Sequence, residues 1–173
     1  MGIGFFGVTL WLPQIIKQLS GLSAVDVSLL TTIPFLLAAG TMILNARHSD
    51  RTGERRWHLA CPLLVGALGL AGSGLWSSPV MAFIFLCIAA MGLWRSIGVF
   101  WSVPTTFLSG TAAAGGLALI NSIGGLGGFV GPYLIGLVRG ITPDFSVALI
   151  GLSTSVRLPA LLAAVLPQRD QTQ

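Results

Sequence analysis

Charge is what this chain has least of. Its 173 residues include nine Lys or Arg and five Asp or Glu, 8% in all, where a soluble domain carries roughly 25% to keep its surface wet. That scarcity excludes a soluble enzyme, a nucleic-acid-binding domain and a disordered tail. Cysteine is limited to Cys61 and Cys87, both inside apolar runs, so neither a disulfide scaffold nor a cysteine metal site is expected. Histidine is limited to His48 and His58, both in the one charged stretch. No nucleophile and base can be paired at membrane depth, and no metal-ligand spacing surrounds the two rings. The expectation is a non-enzyme with no catalytic residue, no cofactor and no metal. What is abundant is apolar: 54% hydrophobic residues, 23 glycines and a mean hydropathy of +0.88. The pI of about 10.1 comes from clustered basic residues, so it speaks first of membrane topology and not of nucleic acid. The chain reads as an all-α integral membrane protein whose first partner is the lipid bilayer.

About 20 apolar residues cross a hydrocarbon core of roughly 30 Å. On that rule residues 1–173 form one unit of six spans, at about 1–16, 27–46, 59–76, 80–101, 112–138 and 145–166. The first begins at Met1 without a basic flank or cleavage site, unlike a signal peptide. The charge-free run from Leu59 to Trp94 is too long for one crossing and breaks at Ser77-Ser78-Pro79. The run from Ser96 to Val138 divides near Pro104 and Ser109-Gly110. Arg47, Arg51, Arg55 and Arg56 lie between the second and third spans, whereas Lys17 and Arg139 lie on the opposite side. The basic excess puts the Arg-rich loop in the cytoplasm of an inner membrane, with both termini and Arg169 on the same side.

Gly2-Ile3-Gly4-Phe5-Phe6-Gly7 matches a dinucleotide-binding glycine pattern. That pattern needs a strand before it and a helix opening on the phosphate. Neither context exists here, and the glycines serve helix approach instead. Pro13, Pro34, Pro62, Pro104 and Pro132 fall in or at the ends of spans, where each removes a backbone hydrogen bond.

The segment RHSDRTGERRWH, Arg47 to His58, carries more pattern than a positive-inside loop requires. Asp50, Arg51, Gly53, Arg55 and Arg56 resemble the loop signature of the major facilitator superfamily: a glycine, an aspartate four residues on, a basic residue, a glycine and a basic pair. Ala46 stands where that signature has its first glycine. Further motifs are similar to the second half of the anion:cation symporter family, in particular its tartrate, phthalate and sugar-acid transporters. These are Trp11-Leu12-Pro13-Gln14, Phe100-Trp101-Ser102-Val103-Pro104-Thr105, Ala118-Leu119-Ile120-Asn121-Ser122-Ile123-Gly124 and Gly127-Gly128-Phe129-Val130-Gly131-Pro132-Tyr133. The likeness runs to about Thr142 and weakens after Ser153. It implies the C-terminal six helices of a twelve-helix fold, with the N-terminal half absent. It also implies proton-coupled symport of a small organic anion by alternating access around a midplane site. In such relatives a basic residue on the first helix and an acidic residue on the fourth serve anion binding and proton coupling, and neither helix lies in this sequence. The chain alone is therefore expected not to transport.

Asn121, Arg95, Trp101, Ser102 and Gln14 are the candidate substrate-binding residues; the five loop residues are candidate gating residues. By resemblance an asparagine on the eleventh helix contacts a sugar acid, and a carboxamide can both donate and accept. The rival reading of Asn121 is a helix–helix hydrogen bond, with Gly124, Gly125 and Gly128 on its face inviting close packing. Arg95 either neutralises an anion or snorkels to the interface beside Trp94. Trp101 fits an aromatic belt as well as a substrate contact. Phe5, Trp11 and Gln14 face either the cavity or lipid. Arg157, in the sixth span before Pro159, has no acidic neighbour in its segment, and marks either a face toward the absent half or an altered C-terminal end. Two other functions compete with the transporter half: a six-span protein that rebuilds the cavity with a second copy, and a non-transporting scaffold that uses the Arg-rich loop for docking.

Overall fold

The computed structural model describes residues 1–165. Within them are six α-helices and no strand: α1 (Gly2–Ser20), α2 (Ala24–Thr52), α3 (Arg56–Leu75), α4 (Pro79–Phe100), α5 (Gly110–Ile141) and α6 (Ser146–Ala164). The expected end of the sixth span at Leu166, and Arg169, lie outside the described residues. By length and composition α2 to α6 can each cross a bilayer. At 19 residues α1 is about 28 Å long, but Gln14, Lys17 and Gln18 hold its hydropathy down.

Local chemistry sets the helix ends. Ser23 accepts from the Asp26 backbone N–H at 3.3 Å and donates to the Asp26 carboxylate at 2.7 Å, capping α2. Gly21 and Gly53 end α1 and α2 with φ of 66° and 67°, the left-handed region where a Cβ would be strained. Pro79 opens α4 at its first turn, where its missing N–H has no partner to lose. After α4 a short 3-10 turn, Pro104–Thr106, redirects the chain into α5.

Two helices overrun their expected spans at both ends. The second reaches Thr52, and its 29 residues measure about 43 Å. Arg47 and Arg51 therefore sit on helix and not in a loop, because charge at the membrane surface does not unwind a helix while glycine does. The connection to α3 shrinks to Gly53, Glu54 and Arg55. The fifth helix runs for 32 residues.

Packing follows small residues. The third and fourth helices cross so closely that a Cβ at Gly69 would lie 2.7 Å from Ala89 Cα, and one at Gly66 would lie 3.2 Å from the Leu93 nitrogen. The first and fifth helices meet in the same way, where a Cβ at Gly127 would reach the Gly2 carbonyl carbon at 2.5 Å. Membrane helices gain most from such backbone approach, since lipid is as apolar as Leu and burial alone drives little. The core is formed by Leu12, Ile15, Leu63, Leu70, Leu86 and Leu93, all fully buried. Both α2 and α3 pack along α4 yet barely touch one another, which leaves a cleft between them floored by α4.

Outer faces remain uncovered. On α5, Leu119, Ile123, Leu126, Phe129 and Leu137 are exposed, while Gly127, Gly131 and Ile135 are its buried residues. Lipid or another protein surface must cover an apolar face of this kind.

Candidate functional site

A cavity of about 730 Å³ opens between the start of α1, the end of α4 and the middle of α5. Phe5, Phe6, Ile97, Phe100 and Trp101 line it, and Asn121 supplies the one carboxamide among its lining residues. Asn121 is exposed and bonds to no other described side chain or backbone group. The helix–helix reading of this residue meets no partner: nothing lies within 4 Å of a Cβ built at Gly124 or Gly125, and Gly128 faces the Phe6 ring. The α1–α5 contact is carried by backbone approach at Gly124, Gly127 and Gly131, where Gly2 and Ile3 lie against α5, and not by the Asn121 amide. A donor–acceptor amide in an apolar cavity can orient a hydroxylated or carboxylated ligand, because it competes with little else there.

The remaining candidates fall elsewhere. Six residues of helix turn a side chain by about 240°, so Arg95 and Trp101 point to different sides of α4. Arg95 lines a second cavity of about 390 Å³ in the cleft between α2 and α3. The Ser102 hydroxyl donates to the Val99 carbonyl at 2.7 Å and is committed to its own backbone. Gln14 is exposed on α1, away from the residues that line either cavity. Trp11 faces neither cavity: its indole N–H donates to the Pro132 carbonyl at 3.1 Å, and its ring meets Phe145 edge-on at 5.6 Å. Arg157 is exposed on a helix that stays regular through Pro159.

The charged corner between α2 and α3 is densely bonded. Gly53 makes the turn, and behind it the Asp50 carboxylate accepts from Arg55. Arg55 also donates to the Ser49 hydroxyl at 3.1 Å, and Ser49 donates to the Glu54 carbonyl at 2.7 Å. Glu54 folds forward onto the start of α3, accepting from the Trp57 N–H at 2.7 Å and the His58 N–H at 3.2 Å. A carboxylate there satisfies orphan donors and faces the positive end of the helix dipole. The His58 ring donates from Nδ1 to Glu54 at 2.6 Å. On its other side, Nε2 of His58 meets Nδ1 of His48. Arg56 lies 5.0 Å over the Trp57 ring. Arg51 is exposed beside this network.

One structural residue has no counterpart among the sequence candidates. Asn45 is 1% exposed, and its amide donates to the His58 carbonyl at 2.9 Å and the Arg95 carbonyl at 3.1 Å, tying α2 to α3 and α4 at one level. A polar residue inside an apolar span just before a charged segment was the available signal.

Six closely packed helices, five of them apolar enough to cross a bilayer, define a multi-pass membrane protein. No protein-family model matches the chain. Individual proteins do. An Agrobacterium vitis protein provisionally named a tartrate transporter is 45% identical over 163 residues, covering 94% of this chain and 36% of that protein. The quinolone resistance transporter of Acinetobacter baumannii is 37% identical over 174 residues, 99% of this chain and 40% of its own length. The inner membrane transport protein RhmT of Escherichia coli K12 is 41% identical over 133 residues, 76% of this chain and 31% of its own. Over nearly its whole length the chain is similar to named transporters of the major facilitator type. It spans well under half the length of these relatives, and its six helices correspond to half of a major facilitator fold.

Proposed function

We propose that the chain is the C-terminal six-helix half of a symporter that couples proton entry to uptake of a small organic anion such as tartrate or a sugar acid. The observation that carries this reading is the 730 Å³ cavity in which Asn121 is the one carboxamide, placed between aromatic and aliphatic walls. In alternating access two helical halves rock about a site held between them. An open, largely apolar cavity bordered by the exposed face of α5 suits one wall of such a site. Asn121 then orients the substrate through a hydroxyl or carboxylate, with Trp101 and Phe5 excluding water. The carboxylate charge and the proton are handled mainly by the opposing half. The names of the Agrobacterium vitis relatives support a dicarboxylate or hydroxy acid as cargo.

In this reading Asp50, Arg51, Gly53, Arg55 and Arg56 form the gating loop on the cytoplasmic side of the inner membrane, with both termini on that side. The Asp50–Arg55 pair, Gly53 and the Glu54 cap hold α2 and α3 as one piece, so the corner moves as a unit when the halves rock. The test is uptake of labelled tartrate and galactonate by vesicles carrying the complete gene product. Asn121→Ala is expected to lower uptake at least about tenfold, the equivalent of one lost hydrogen bond of about 1.4 kcal/mol in the bound state. Equal uptake by wild type and variant, with equal protein in the membrane, would remove Asn121 from the site.

A further inference from the structure

Arg95 is the one charged residue of α4, and its place in the cleft between α2 and α3 is left unused by the function proposed above. Among the described residues no carboxylate pairs with it, although Asp50 and Glu54 lie on the neighbouring corner, each committed to Arg55 or His58. The cleft has two ends. At one, Arg95 stands at the level of His48 and His58, a level fixed by the Asn45 amide that binds the carbonyls of both His58 and Arg95. At the other, the lining passes to Pro62 and Val65 on α3 and Met91 on α4. Seven residues separate His58 from Val65, a run of about 10 Å along a helix. The charged end lies at the corner between α2 and α3, and the apolar end runs toward the middle of α3 and α4.

We propose that this cleft binds a phosphate-ester oxyanion, with Arg95 as its cation and the apolar floor taking whatever chain the phosphate carries. A guanidinium presents a planar fork of donors that matches phosphate oxygens two at a time. Arg95 is exposed with no carboxylate answering its charge among the described residues, so a bound anion supplies the counter-charge. Two sources share this chemistry, the headgroup of an anionic phospholipid and a soluble phosphate monoester. The apolar run beyond Arg95 favours the lipid.

The site is independent of Asn121, so its test does not depend on transport. The full chain is purified in detergent, and bound phosphatidylglycerol is counted by native mass spectrometry for wild type, Arg95→Gln, Arg95→Lys and Lys17→Gln. Lys17→Gln makes the same charge change at the opposite end of the bundle. Arg95→Gln is expected to weaken retention about tenfold, in line with loss of a charge-assisted hydrogen bond. Arg95→Lys should restore part of it, and Lys17→Gln should leave it unchanged. Displacement by glycerol 3-phosphate would assign the site to a soluble ester, and its failure to displace would assign it to lipid; both uphold the oxyanion site. Equal retention in Arg95→Gln and Lys17→Gln would overturn the proposal. Equal retention of diacylglycerol, which lacks the phosphate, would overturn it as well.

Discussion

The two ends of the polar inventory are built on opposite principles. In the cavity of α1, α4 and α5 a single carboxamide stands among aromatic and aliphatic side chains, with no protein partner. In the corner between α2 and α3 a linked set of polar groups answers one another: Asp50 by Arg55, Ser49 by Glu54 and Arg55, Glu54 by the first N–H groups of α3 and by His58, with Arg55 Nε and Arg56 Nε left over. A group without a partner costs stability unless something else supplies the bond, whereas a satisfied network fixes one geometry. The contrast separates a place that is kept available for a ligand from a place that is kept rigid.

The sharpest way to break that contrast is through the helix crossings on which both regions depend. Gly92→Leu places a side chain against Gly66 and the Pro62 carbonyl, where backbone cannot yield. It should abolish the folded protein, seen as loss of the monodisperse peak in size-exclusion chromatography. Survival of that peak would show that α3 and α4 do not cross as closely as described.

Asn45→Leu is next. It removes two donors to buried carbonyls that tie three helices, at an expected cost of about 2–4 kcal/mol. Thermal unfolding in detergent should register a clear drop in Tm. Asn121→Ala should leave Tm within error, since the amide has no protein partner to lose. If the two asparagines behave alike in this measurement, the division into rigid corner and open cavity is wrong.

Asp50→Asn leaves an exposed ion pair broken, and such pairs are worth about 0–1 kcal/mol. Little change in Tm is expected. Uptake by the complete gene product should fall several-fold if the corner gates access, and an unchanged rate would make it a solvated turn. The smallest effect belongs to Ser102→Ala. Its hydroxyl bonds its own helix, so both stability and uptake should stay close to wild type, within about 0.5 kcal/mol.

The distribution of charge and glycine made much of this legible beforehand. Long charge-free runs and the breaks at Ser77-Ser78-Pro79 and Ser109-Gly110 correspond to real helix junctions, because bilayer thickness imposes span length on any sequence. The extent of α2 was not legible. Hydropathy stops at the membrane surface, but the helix continues through Arg47 and Arg51 until Gly53 adopts a conformation that other residues resist. Asn45 was overlooked because a lone asparagine in an apolar run does not reveal which carbonyls will face it.

Composition alone determined that this protein lives in a bilayer as a helical bundle, since 8% charge cannot cover a water-exposed surface. The resemblance of its motifs pointed to the family and to a set of candidate residues. Which of those residues share a cavity was decided only by tertiary structure. Arg95 lies on α4 and Trp101 caps its end six positions on, and the turn between them sends one to the cleft beside α3 and the other to the cavity with Asn121. Sequence distance is one-dimensional, whereas a helix assigns each residue an azimuth, and neighbours crossing at glycine contacts determine what that azimuth meets.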